Sequence, residues 1–122
     1  MKLSLLKNFF SNDAPIIPTI KTEVAYYTKQ SLKKGSTMPV IVTEDIDLFV
    51  ESKDISKLCR AYIDGNFSEH YIYYLSDIMT MSERVTFESE ELQELVVTLT
   101  DPEINGELTL EIALDVIDIL EK

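Results

Sequence analysis

One cysteine, one histidine, three glycines and no tryptophan stand in 122 residues. Each scarcity removes a class of chemistry. A lone thiol, Cys59, has no partner for an intrachain disulfide, and with His70 as the only imidazole no Cys/His cluster has zinc spacing. Gly35, Gly65 and Gly106 lie too far apart to form a phosphate-cradling loop. No apolar run approaches the roughly 20 residues of a membrane span. Residues 1–10 are too short for the apolar centre of a secretory signal, and Lys2 and Lys7 interrupt them. These absences lead to the expectation of a cytoplasmic protein without membrane contact, cofactor or catalytic residues. Cys59 falls on an apolar stripe and reads as a buried structural thiol. His70 falls in the first turn of a helix, away from Leu75, and reads as solvated.

What the chain has in excess is negative charge. Residues 43–122 carry twenty acids against five basic groups, whereas residues 1–42 carry six lysines against Asp13 and Glu23. A field of that size repels phosphate backbones, so direct nucleic-acid binding is not expected, and it attracts basic partners. The same charge on a solvated surface also simply keeps a domain soluble.

The length is that of one domain, 1–122, with a basic, irregular segment 1–42 and an acidic helical core 43–122. In the first part, Leu3, Leu5, Leu6, Phe9 and Phe10 suit a short helix. Ser11-Asn12-Asp13-Ala14-Pro15 and Pro18 break it. Residues 22–34 suit another helix, stopped by Gly35, and residues 38–42 an extended run. In the second part, Thr43 reads as an N-cap with Glu44 and Asp45 in the first turn, and Ile46, Phe49 and Val50 follow at i, i+3, i+4. Ile55, Leu58, Cys59, Tyr62 and Ile63 form a helical stripe ended by Asp64-Gly65. Ser68 caps a helix with Tyr71, Ile72, Leu75, Ile78 and Met79 inside; Ser89 caps one with Leu92, Leu95, Val96 and Leu99 inside. Thr109 caps a last one with Ile112, Ala113, Val116, Ile117 and Leu120 on one face. The fold expected is all-α: an antiparallel bundle of about five or six helices behind an irregular, partly extended N-terminal segment.

Two surfaces suggest a protein partner. On the helix from Ser68 the 100° step places Tyr73 nearly opposite Ile72 and Leu75, with Glu69 and Asp77 four residues to either side. An outward tyrosine between carboxylates has the composition of an interface anchor; the other reading packs Tyr73 beneath the lysine-bearing N-terminal segment. Glu88, Glu90, Glu91 and Glu94 crowd around the next helix start, where capping and the dipole explain Glu90 and Glu91 alone. A third segment, 101–112, has the outline of a calcium loop: Asp101, Glu103, Asn105 and Gly106 fall at positions one, three, five and six. The twelfth position is Ile112 instead of the closing glutamate, so a helix-connecting turn with Thr109 as cap fits as well.

The stretches Arg60-Ala61-Tyr62-Ile63-Asp64-Gly65-Asn66-Phe67-Ser68-Glu69-His70-Tyr71, Tyr74-Leu75-Ser76-Asp77 and Leu99-Thr100-Asp101-Pro102-Glu103-Ile104-Asn105-Gly106-Glu107-Leu108-Thr109 resemble small acidic immunity proteins. These are encoded beside bacterial polymorphic toxins, including contact-dependent growth inhibition systems. The resemblance covers roughly residues 45–121, and its most specific piece, 101–106, is a turn-and-cap motif. It implies a cytoplasmic protector, not an enzyme, that binds the C-terminal domain of a cognate toxin. That domain is expected to be basic, a nuclease being one candidate, and the acidic segment would steer it. Two readings from other classes remain: a calcium-responsive or regulatory module using 101–112, and a small adaptor subunit.

Overall fold

The computed structural model describes residues 1–11, 18–25, 42–100 and 106–121. Several expectations fall outside them: the break at 12–15, a helix running from 26 to 34, the stop at Gly35, the extended residues 38–41, and the calcium ligands Asp101, Glu103 and Asn105. Among the described residues are six helices and two short strands, so the protein is mostly helical. The helices are α1 (Leu3–Ser11), α2 (residues 18–25), α3 (Ser52–Ile63), α4 (Glu69–Met81), α5 (Glu90–Val97) and α6 (Leu110–Leu120); the strands are β1 (Leu48–Val50) and β2 (Val85–Phe87).

The strands correct the expected purely helical start of the acidic half. Residues 48–50 pair in parallel with 85–87, in the register Leu48 with Val85, Phe49 with Thr86 and Val50 with Phe87. Leu48 and Val50 are buried and Phe49 is exposed, the period of two of a strand. The i, i+3, i+4 spacing of Ile46, Phe49 and Val50 fits a helix equally well, but α3 begins only two residues after Val50. A segment this short has little helical stability of its own, and pairing with β-branched and aromatic β2 satisfies its backbone instead. The α3–α4 hairpin forms the crossover that a parallel pair requires.

Glu44 and Asp45 do receive amide protons, but not those of a helix beginning at Thr43. Asp45 accepts the Ser4 N–H at 3.1 Å and the Ser4 hydroxyl, so it caps α1 from forty-one residues away. Thr43 adds to this: its carbonyl accepts the Leu3 N–H at 3.1 Å, and its own N–H donates to the Met1 carbonyl at 2.9 Å. Glu44 accepts the Ser82 hydroxyl at 2.8 Å and the Glu83 N–H at 3.1 Å. Arg84 donates to Asp47 at 2.7 Å and to the Glu44 carbonyl at 2.8 Å. The carboxylates before β1 therefore weld it to the turn before β2.

The other helix boundaries fall where the residues place them. α2 already includes Pro18, ahead of the expected start at Thr22. Ser89 and Thr109 accept the amides of Leu92 and Ile112, each three residues on, at 3.1 and 3.2 Å. Ser68 occupies the N-cap of α4 without a side-chain bond. Glu51 and Asp54 form a reciprocal capping box at the start of α3. α3 ends in a Schellman turn: Gly65 at φ +83° donates to the Tyr62 carbonyl, and Asn66 donates to that of Ala61.

One hydrophobic cluster joins all these elements. Leu3, Leu6 and Phe9 of α1, Ile20 and Val24 of α2, Leu48 and Val50 of β1, and Ile55, Leu58 and Cys59 of α3 meet Ile72, Tyr74, Leu75, Ile78 and Met79 of α4. Lys57 lies 5.3 Å over the Phe9 ring and donates to the Phe10 carbonyl at 3.4 Å, a cation at the C-terminal end of α1. α6 packs chiefly on α3 through Ala113, Val116 and Ile117, and Arg60 pairs with Glu121 across the end of that seam.

Candidate functional site

Tyr73 is not an outward anchor. It is buried, and its Oη accepts the Leu108 N–H at 2.8 Å. The reason is the position of α4, in which Ile72, Tyr73, Tyr74, Leu75 and Ser76 are all buried in succession. A helix apolar around most of its circumference lies inside a fold instead of on it. The unbroken run Tyr71-Ile72-Tyr73-Tyr74-Leu75 was the available signal, and it outweighs the single-face wheel. Glu69, at the start of this helix, and Asp77, two turns on, remain half-buried, with no outward aromatic between them.

The Tyr73 contact has a counterpart. The Tyr62 hydroxyl donates to the carbonyl of the same Leu108 at 3.4 Å. Burial raises the Tyr62 pKa, with smaller contributions from Glu69 and Tyr73. Helices α3 and α4 thus each extend one tyrosine to one backbone unit, directly ahead of the Thr109 cap. Together with the α3 seam this fixes where α6 starts and which way it faces.

Glu88 is exposed, but its carboxylate is taken up by a contact within the chain. It accepts the Ser52 N–H at 3.2 Å and the Ser52 hydroxyl at 2.7 Å, tying the end of β2 to the start of α3, and these bonds hold its carboxyl below the usual range. Glu90, Glu91 and Glu94 are exposed on α5. Glu90, Gln93, Glu94 and Val97, at i, i+3, i+4 and i+7, line one shallow cleft of about 350 Å³. Of the seven partner-binding residues expected from sequence, these three alone share an open face.

Sequence reasoning placed α6 but missed its exposed apolar side. Ile112 was expected on its inner face, but it is 41% exposed, alongside Leu110 at 55%, Leu114 at 56% and Ile119 at 59%. Glu111, Asp115 and Asp118 are exposed on the same helix. The signal lay in composition: eleven residues hold seven Leu, Ile or Val and three acids, more apolar side chains than one buried stripe can use.

Cys59 is buried in the core, which pushes its thiol pKa up to about 12. His70 is exposed, its Nε2 3.9 Å from Glu69. Among the described residues no group of three or more His, Cys, Asp or Glu is placed to hold a metal ion, and no helix is long and apolar enough to cross a membrane. Compared with protein families, curated proteins and solved structures, the chain matches none.

Proposed function

We propose that the protein is an immunity-type inhibitor: it binds a basic toxin domain in the cytoplasm of the cell that makes it and holds that domain inactive, performing no reaction of its own. The observation that carries this reading is the charge of α5 and α6. Neither helix has a basic residue, and Glu90, Glu91, Glu94, Glu111, Asp115 and Asp118 all face solvent. Helix stability does not account for this pattern. Glu90, Glu91 and Glu111 sit in first turns, where the helix dipole favours them, but Asp118 sits in the last turn of α6, where it is disfavoured. Exposed carboxylates beyond those the dipole favours, in a body already rich in acid, suit a surface that recruits cations from a partner. The resemblance of residues 45–121 to immunity proteins supports reading that partner as a toxin domain.

The test is co-expression with the C-terminal domain encoded by the adjacent upstream gene. A one-to-one complex on gel filtration, survival of the host, and an association rate that falls steeply with added salt are the expected results. A toxin domain that kills regardless, and elutes apart from this protein at low salt, sinks the reading.

A further inference from the structure

We infer that the outer face of α6 is the docking surface, and that what it takes is a partner-protein surface of lysine or arginine flanked by apolar side chains. This deepens the proposed function and rests on its claim that the partner is a protein. The argument begins with what α6 does not bury. Four of the seven large hydrophobic side chains exposed among the described residues, Leu110, Ile112, Leu114 and Ile119, belong to this one helix. Single exposed apolar residues are ordinary; four on a rod about 16 Å long are not.

Their arrangement is ordered. With the 100° step, Ala113, Val116 and Ile117 point toward α3, as their burial requires. Going round the free side, Leu110 and Leu114 form one shoulder, Glu111, Asp118 and Asp115 the crest, and Ile119 and Ile112 the other shoulder. The helix therefore presents an acidic ridge with an apolar strip on each side. The Tyr62 and Tyr73 contacts to Leu108, the Thr109 cap and the α3 seam hold this ridge in place before any partner arrives, so little ordering remains at binding.

Charge selects the occupant. A second copy of this chain would set one acidic crest against another, in a protein whose net charge is −11. Anionic lipid headgroups and nucleic-acid phosphates are repelled for the same reason, and helices that lie on membranes carry basic polar faces, not acidic ones. A cationic protein surface with apolar flanks complements both the crest and the shoulders. On α5, Val97 is the one large exposed hydrophobic residue, so that face contributes attraction at a distance more than contact area.

The experiment uses the full chain and a fluorescent synthetic helix built only of leucine and lysine, its lysines in one row with leucines along both sides of that row. Leu114→Gln with Ile119→Gln keeps the charge and the helix propensity. This pair is expected to weaken binding about tenfold, as loss of apolar anchors does. Phe49→Gln, at an equally exposed apolar site on β1, leaves binding unchanged. Glu111→Lys with Asp115→Lys abolishes binding, whereas Glu90→Lys with Glu94→Lys, an equal change in net charge, reduces it far less. Circular dichroism checks that each variant stays helical. Equal affinity of the wild type and the glutamine pair, equal losses from the two charge reversals, or no binding of the synthetic helix overturns the assignment to α6. The same variants against the upstream toxin domain separate the two claims. If the wild type ignores that domain while the synthetic-helix results hold, the toxin reading falls and the α6 surface stands.

Discussion

Replacing Tyr73 with phenylalanine removes one oxygen and keeps the ring. That oxygen is the acceptor of the Leu108 N–H, 2.8 Å away in a buried setting. In the variant the amide has no acceptor and little water to turn to, and an orphaned buried donor costs about 1–3 kcal/mol. With the usual urea sensitivity of a small domain, the unfolding midpoint should fall by roughly 0.5–2 M at an unchanged slope. Tyr62→Phe is the internal comparison. Its hydroxyl donates over 3.4 Å in a part-buried setting, so its loss should cost less than about 1 kcal/mol. Urea titration followed by far-ultraviolet circular dichroism reads both, and hydrogen exchange at the Leu108 amide should quicken in Tyr73→Phe. A midpoint that does not move in Tyr73→Phe, or that moves further in Tyr62→Phe, refutes the account of how α6 is held. Had Tyr73 faced outward as an anchor, the same change would have left stability untouched.

Cys59 should resist thiol reagents in the native protein at neutral pH and react only at the rate of unfolding, since its side chain is buried and its pKa lies near 12; prompt labelling would contradict that packing. Gly65→Ala should destabilise by about 1 kcal/mol or more, because φ +83° strains an L side chain although nothing lies near the added methyl; differential calorimetry would show it as a lowered Tm. Hydrogen bonds from Ser4, Arg84 and Ser52 hold the carboxyls of Asp45, Asp47 and Glu88 below their ordinary range. Their stabilisation is thus complete above the unfolded values, about pH 4, and is lost as pH falls through the lowered folded ones. Asp54 runs the other way: burial raises its pKa, so its contribution is greatest in acid and declines as pH rises through the raised value. Asp54→Asn, which retains an acceptor for the Glu51 N–H, should therefore widen the gap in urea midpoint between about pH 7 and about pH 3.5; a narrower gap reverses the sign and refutes the assignment.

The parts of the fold written in local code could be read from the chain. Ser89, Thr109 and Gly65 mark helix ends because an Oγ reaches an amide three residues on, or because a backbone turns left-handed, and both depend only on neighbours in sequence. Residues 48–50 could not be read so, because their state is decided by Val85, Thr86 and Phe87, and a three-residue segment fits either period. Asp45 shows the same limit in another form. Its carboxylate does receive N-terminal amides of a helix, but those of α1, and nothing near position 45 says so. Tyr73 and Ile112 exchanged places relative to expectation for one reason. A wheel ranks the faces of a helix against one another, but how much of the circumference is covered depends on neighbours: α4 is surrounded, whereas α6 is covered by α3 along one side. The acidic face on α5 was legible because burying several carboxylates on one short helix is costly.

The capping of α1 by distant residues bears on how the chain is made. Nine residues are fewer than the ~12–15 that hold a helix alone in water. The acceptor for the Ser4 amide emerges from the ribosome forty-one residues after Ser4 itself. Through that interval Leu3, Leu6 and Phe9 have neither a settled backbone nor a core to enter. The nascent chain thus carries an adhesive patch for seconds at ordinary elongation rates.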